Sequence, residues 1–162
     1  MTTTYKKPYL TTTLEDAVTN FYKRLGIYTP EHICERYISQ KLHIYLEFKP
    51  KPSYHQVIGN YRKIIISDYK SPEEQRVIYF HELCHILRHA GNQLFMPKAF
   101  RELQEWDASN FTRYATIPYH MLKYIDFQSD NVISHAAELF SVPEYIAKDR
   151  LEQIKRKMGI IT

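Results

Sequence analysis

The segment SPEEQRVIYFHELCHILRHAG, residues 71–91, combines a clearly delimited helix with side chains that commonly bind metal ions. Ser71 is typical of an N-cap, Pro72 suits the first helical position, and Glu74 stands where it would complete a capping box. Gly91 is typical of the left-handed residue that follows a helix. These signals predict one helix between Pro72 and Gly91, with the sequence HELCH in its second half.

The three polar residues of HELCH are His81, Glu82 and His85. Residues four apart on a helix lie on the same face, so both histidines can bind one zinc ion at about 2.0–2.1 Å. Glu82 is the next residue around the helix and can accept a proton from a water molecule that zinc activates. Apolar residues flank the motif, and unpaired polar groups are costly in such surroundings. The pattern predicts a zinc site with Glu82 as the general base.

A catalytic zinc usually takes three protein ligands, and the motif supplies only two. His89 continues the spacing but lies about 12 Å along the axis from His81, too far to share an ion on a straight helix. An acidic residue from the next predicted helix, FRELQEWDASNFTRYA, is the other possibility. Its candidates are Glu102, Glu105 and Asp107, and the apolar periodicity of that helix does not choose among them.

Length and composition indicate one soluble globular domain: 162 residues, 44% hydrophobic and 25% charged. The net charge of +4 is too small to indicate a nucleic-acid binder. Two cysteines are too few for a disulfide framework. No apolar run is long enough to span a membrane, and MTTTYKKPYLTTT lacks the apolar region of a secretory signal. We therefore expect a cytoplasmic protein.

The predicted order of elements is α-α-β-β-α-α-α, which indicates an α+β fold. The strands are predicted at Leu42–Phe48 and Tyr61–Asp68, with KPKPSYHQVIGN between them as a loop. Residues 1–13 are expected to be a flexible N-terminus and 14–125 the core that carries the metal site. Residues 126–162 are expected to form a C-terminal helical lobe packed on the same domain.

The sequence FHELCHILRH, followed by EWDASNFTRYATIP, resembles the ImmA/IrrE family of metallopeptidases. That family pairs a HExxH helix with a later helix of the form E-x-[ED]-A-x-x-F-A, which ends before a Leu/Met-Pro segment. The matching residues are Glu105, Asp107, Ala108, Phe111 and Pro118. The resemblance implies a zincin-like core with a small β-sheet, a HExxH helix, a second ligand-bearing helix and a C-terminal helical lobe.

By the same resemblance the protein is a zinc-dependent endopeptidase, a hydrolase. The acid directly before the alanine, Asp107, is then the third zinc ligand, and Glu105 is the second choice. Relatives of the ImmA type cut a helix-turn-helix repressor of a phage or other mobile element, so such a repressor is the substrate that the resemblance implies. Asp107 is one methylene shorter than the glutamate that the pattern also allows, and Thr112 stands where alanine is usual.

Zinc peptidases in general hold an extended substrate against an edge strand beside the metal. The strand Tyr61–Ser67 is either that edge strand or an ordinary strand of the core. Cys84, inside the motif, is expected to be a packed thiol.

Two other classes of function are compatible with the sequence. One is a non-catalytic, anti-repressor-like module that binds a regulator and has a structural metal or none. The other is a DNA-binding regulator, because the tail ISHAAELFSVPEYIAKDRLEQI has the rhythm of a helix-turn-helix. Its second helix offers Lys148, Asp149 and Arg150, a mixed surface where DNA recognition needs a basic one, so direct nucleic-acid binding is not expected.

Overall fold

A computed structural model describes residues 7–89 and 97–160. Within these residues there are six α-helices, three strands and two 3₁₀ turns, which confirms the α+β class. The elements are α1 (Thr13–Arg24), a 3₁₀ turn (Pro30–His32), α2 (Glu35–Lys41), β1 (Tyr45–Lys49), β2 (Tyr54–Ile58), β3 (Tyr61–Ser67), α3 (Pro72–Arg88), α4 (Lys98–Thr116), a second 3₁₀ turn (Tyr119–Tyr124), α5 (Val132–Phe140) and α6 (Glu144–Lys157).

The three strands form one sheet in the order β1-β3-β2, with β1 parallel and β2 antiparallel to β3. The central strand buries residues 64–67, which explains its continuous apolar run. The possibility that Tyr61–Ser67 is an edge strand is therefore wrong. Within the described sheet β2 is an edge instead, although its residues were predicted to be a loop.

The predicted N-cap of α3 is present, whereas the Glu74 carboxylate of the predicted capping box accepts a hydrogen bond from the Tyr145 hydroxyl at 3.1 Å. The Ser71 hydroxyl accepts a hydrogen bond from the Glu74 backbone N–H at 3.2 Å, and Pro72 is the first helical residue. The helix ends at Arg88, with His89 as its C-cap. The predicted Gly91 cap lies outside the described residues, as do residues 1–6 of the expected flexible N-terminus.

The helix α3 lies across the sheet and against α4. Its buried residues include Phe80, Leu83 and Cys84, all fully inaccessible to solvent. Since one flank of α3 contacts the sheet and another contacts α4, the HELCH motif lies where β2, α3 and α4 meet.

The two C-terminal helices contribute to the same hydrophobic core as the sheet and α3. Ser141 ends α5 with a left-handed backbone (φ 51°), and α6 begins after Pro143. Residues of α5 and α6 in this core are Ala136, Ala137, Phe140, Ile146, Ala147, Leu151 and Ile154. At the other end of the chain, the Lys7 backbone N–H donates to the Met158 carbonyl at 3.1 Å.

Arg150 is the largest side chain in the fully buried set, with no solvent exposure. Its Nε donates to the Ile117 carbonyl at 3.0 Å. The prediction that it belongs to an exposed mixed surface of the tail is therefore wrong. None of the described helices is both long and apolar enough to cross a membrane.

Candidate metal centre

His81 and His85 on α3 meet Glu105 on α4. The Glu105 carboxylate oxygens lie 2.8 Å from His81 Nε2 and 3.0 Å from His85 Nε2. The two imidazole Nε2 atoms are 3.3 Å apart. The helical spacing of the motif places both rings on one face of α3, and the packing of α4 brings the carboxylate to that face.

These three residues fit a zinc ion. Two imidazole nitrogens and one carboxylate oxygen are a ligand set of catalytic zinc sites, and here the ligand atoms all lie within 4.8 Å of one another. Tetrahedral ligands at 2.0–2.1 Å from an ion are about 3.3–3.4 Å apart, which agrees with the observed separation of the two Nε2 atoms.

One side of the cluster is buried and the other is open. The His85 side chain is 4% exposed, whereas that of Glu105 is 46% exposed. Burial lowers the pKa of His85 to about 4, against an opposing effect of Glu105, so the ring is neutral at neutral pH. A neutral ring can offer a lone pair to a metal, and the open side leaves room for a substrate.

The structure does not bring Asp107, the acid chosen by resemblance, to His81 and His85. Residues advance about 100° each around a helix, so positions 105 and 107 point in opposite directions. Asp107 accepts hydrogen bonds from Arg88 Nε at 2.9 Å and from Arg88 Nη2 at 3.2 Å. Its Oδ2 is also 2.8 Å from His89 Nε2. Glu105, the second choice from the sequence, lies against the two histidines instead.

The charge state of Asp107 follows from these contacts. Partial burial alone would raise the pKa of this carboxyl group, but the hydrogen bonds from Arg88 and His89 and the positive charge of Arg88 hold it below its ordinary value. Asp107 is therefore ionised at neutral pH and acts only as a hydrogen-bond acceptor.

Glu82 lies beside the cluster and has a partner that the sequence analysis missed. Its Oε2 is 2.5 Å from Nδ1 of His55, on the edge strand β2. The His55 ring also stacks on His85, with ring centres 5.1 Å apart. His55 was missed because its segment was predicted to be a loop; the Gly59-Asn60 turn before β3 could have identified β2 as a hairpin strand.

Cys84, also in the motif, contacts Asp107. Its Sγ lies 3.8 Å from Asp107 Oδ2, and burial raises the pKa of the thiol to about 12. The thiol is therefore protonated at neutral pH, in agreement with the expectation that Cys84 is a packed, unreactive residue.

Comparisons with known proteins identify the family of the chain. Residues 40–152 match the model of the Peptidase_M78 family, described as the IrrE N-terminal-like domain. The chain is 37% identical over 150 residues to the phage-like element PBSX protein XkdA of Bacillus subtilis (strain 168), covering 91% of this chain and 76% of that protein. It is 35% identical over 152 residues to the uncharacterized protein YqaB of the same organism, covering 93% of this chain and 88% of YqaB.

The fold is also similar to that of a solved structure, a Mycobacterium tuberculosis transcriptional regulator, with a TM-score of 0.66 and 13% identity. That similarity covers 90% of this chain but only 48% of the regulator, and at this identity it concerns the fold alone. The family model spans most of the chain and includes all the residues of the metal cluster. The chain therefore belongs to the IrrE N-terminal-like family of metallopeptidases.

Proposed function

We propose that this protein is a zinc-dependent endopeptidase that cuts a peptide bond in an intracellular protein. The observation that carries the proposal is the cluster of His81, His85 and Glu105 with the Glu82 carboxylate next to it. Two histidines and a glutamate around an open position, with a second glutamate nearby, are the components of a hydrolytic metal site.

His81, His85 and Glu105 would hold the zinc ion. When bound, zinc supplies Lewis-acid activation of water and polarises the carbonyl group of the substrate. Glu82 accepts the proton of the attacking water and passes it to the leaving amine. The contact with His55 restricts the rotation of the Glu82 carboxylate and keeps it directed at the cluster. Asp107 is not assigned as a ligand, since its oxygens are directed at Arg88 and His89.

The edge strand β2 is where the substrate would bind. One side of β2 is hydrogen-bonded to β3, with His55 opposite Ile64. On its other side β2 has no partner strand among residues 7–89 and 97–160. An extended peptide can add to such an edge through backbone hydrogen bonds. Because His55 is part of β2, a peptide bound there would lie close to Glu82.

The substrate class comes from the family resemblance and not from the geometry of the site. The chain is 37% identical to a protein of the phage-like element PBSX, which supports a role in a mobile element. We infer that the substrate is a helix-turn-helix repressor of the same element, and that its cleavage in the cytoplasm induces the element.

The test combines metal content with cleavage of that repressor by the purified protein. We expect stoichiometric zinc and a discrete cleavage product from the wild type. Glu82→Gln should retain zinc and lose cleavage, because the amide cannot accept the proton. Glu152→Gln, an exposed change of the same kind on α6, should retain both. If Glu82→Gln still relieved repression in cells as well as the wild type, the protein would be a non-catalytic regulator-binding module.

A further inference from the structure

We propose that His89 and Asp107 form an outer shell of the metal site that orients His85 and fixes which of its nitrogens faces the metal. This inference rests on the proposed function, because it assigns a role relative to the metal held by His81, His85 and Glu105. It gives His89 and Asp107 positioning roles, and neither residue contacts the ion.

The proposal starts from a continuous row of polar atoms that leads away from the cluster. His85 directs Nε2 at Glu105, 3.0 Å away, and its other nitrogen, Nδ1, lies 3.0 Å from Nδ1 of His89. The opposite nitrogen of His89, Nε2, lies 2.8 Å from Asp107 Oδ2. The side chains of His85, His89 and Asp107 are 4%, 11% and 21% exposed, so the row is largely shielded from water.

The chemistry of these groups allows one consistent placement of protons. A histidine that binds a metal through Nε2 carries its proton on Nδ1 and donates it. His85 Nδ1–H therefore donates to His89 Nδ1, which must offer a lone pair. His89 then carries its own proton on Nε2 and donates it to Asp107, which only accepts. Each donor in the row then faces an acceptor.

Arg88 fixes the far end of the row. Its Nε and Nη2 donate to the two different oxygens of Asp107, a two-point contact that sets the plane of the carboxylate. Arginine stays protonated, and its positive charge favours the ionised form of Asp107. The orientation of His85 is thus linked through His89 to an ion pair between α3 and α4.

The same residues do not form a good second metal site, although Cys84, His89 and Asp107 also have their ligand atoms within 4.8 Å of one another. The Cys84 side chain is fully buried, and its thiol already donates a weak hydrogen bond to Asp107 at 3.8 Å. The Arg88 guanidinium already occupies the Asp107 carboxylate and would repel a cation. An outer-shell role explains the contacts of His89 with His85 and Asp107, and that of Asp107 with Arg88, without these conflicts.

The test measures zinc affinity of the full-length protein by competition with a chelating dye, independently of peptidase activity. Removing an outer-shell partner typically weakens metal affinity about 10–100-fold, and we expect that loss for both His89→Leu and Asp107→Asn. The double variant should lose no more than His89→Leu alone, since each change breaks the same row. The glutamine amide of His89→Gln can replace the two hydrogen bonds of His89 only partly. The zinc affinity of this variant should therefore lie between those of His89→Leu and the wild type. His135→Leu removes an exposed histidine of α5 and should bind zinc as the wild type does.

A spectroscopic measurement separates orientation from general structural damage. In the zinc-loaded wild type labelled with ¹⁵N-histidine, we expect a slowly exchanging His85 Nδ1–H proton and a coupling across the hydrogen bond to His89 Nδ1. Both signals should disappear in His89→Leu, and in Asp107→Asn the His85 Nδ1–H proton should exchange faster.

Each alternative gives a different result. If His89→Leu bound zinc as tightly as the wild type, the outer-shell role would be overturned while the proposed function stood. A wild type that bound two zinc ions, one of them lost in His89→Leu, would show a second metal site instead. A wild type that bound no zinc would overturn the proposed function and this inference with it.

Discussion

At the scale of single residues, the two acids of the EWD sequence have different partners because of helix geometry. Glu105 reaches the two histidines of the motif, and Asp107 reaches Arg88 and His89. The sequence narrows the candidates for the third metal ligand to a few acidic residues on one helix. The rotation of that helix about its own axis decides among them, and this rotation is set by packing against α3.

The assignment of Glu105 predicts a clear order of effects on zinc binding. Glu105→Gln should lower zinc affinity by more than the 10–100-fold typical of outer-shell changes, because a weak amide replaces a charged ligand. Glu102→Gln, one turn earlier on α4, should bind zinc normally, as its carboxylate is paired with Lys98 at 3.7 Å. Mass spectrometry after dialysis measures the zinc content of both variants and of the wild type. Full zinc in Glu105→Gln would contradict the assignment.

His55 is expected to affect catalysis without affecting the metal. It contacts Glu82 but does not belong to the group of ligand atoms, so His55→Ala should retain stoichiometric zinc. Since general bases contribute about 10²–10⁴-fold to a rate, a loosely held Glu82 should lower kcat by about 10-fold or more. We expect little change in KM, and partial recovery of kcat in His55→Gln. Equal losses in zinc content and in kcat would show that His55 supports the metal site itself.

At the scale of elements, the predictable parts are those with strong local signals. The start of α3 was predicted correctly because Ser71 and Pro72 act on the backbone next to them. The strand β2 was missed because only one of its edges is paired, and Val57 and Ile58 are 51% and 63% exposed. It pairs with β3 in a hairpin closed by Gly59 and Asn60, a two-residue turn signal that the sequence analysis had assigned to a loop. His55 was missed for the same reason.

The N-cap of α3 should contribute measurably to stability. Ser71→Ala removes the hydrogen bond to the Glu74 N–H and should lower the free energy of unfolding by about 1 kcal/mol. Ser71→Asp should restore most of this, because aspartate caps helices as well as serine does. Urea denaturation of the three proteins measures the differences. If Ser71→Ala had the same free energy of unfolding as the wild type, water would satisfy the Glu74 N–H as well as the serine hydroxyl does.

At the scale of the whole molecule, the C-terminal helices are part of the core that supports the metal site. Arg76, on α3, donates from Nη1 to the Phe140 carbonyl at the end of α5 at 2.7 Å. Its Nε also pairs with Glu35 on α2 at 2.7 Å. Deleting the tail after Asp130 would therefore remove core residues and the partners of α3, so a loss of function in that deletion would not identify a DNA-binding element. Single substitutions test the tail better.

Arg150 gives the most informative of these substitutions. Its guanidinium is fully buried, and its Nη1 lies 3.5 Å from the buried Glu15 carboxylate of α1. Lys157 reaches the same carboxylate at 2.8 Å. The arginine thus connects the first and last helices, and it also holds the Ile117 carbonyl after α4.

Because losing one partner of a buried ion pair leaves the other charge poorly compensated, Arg150→Met should destabilise the protein by about 3–5 kcal/mol. Lys148→Met is the matched control, since Lys148 is exposed on the same helix and should have little effect. The double variant Glu15→Leu/Arg150→Met should recover part of the loss, because it removes both buried charges together. Thermal and urea unfolding of the four proteins measure the effect. An Arg150→Met variant as stable as Lys148→Met would show that Lys157 alone satisfies Glu15, and that the connection between the two ends of the chain does not depend on the buried arginine.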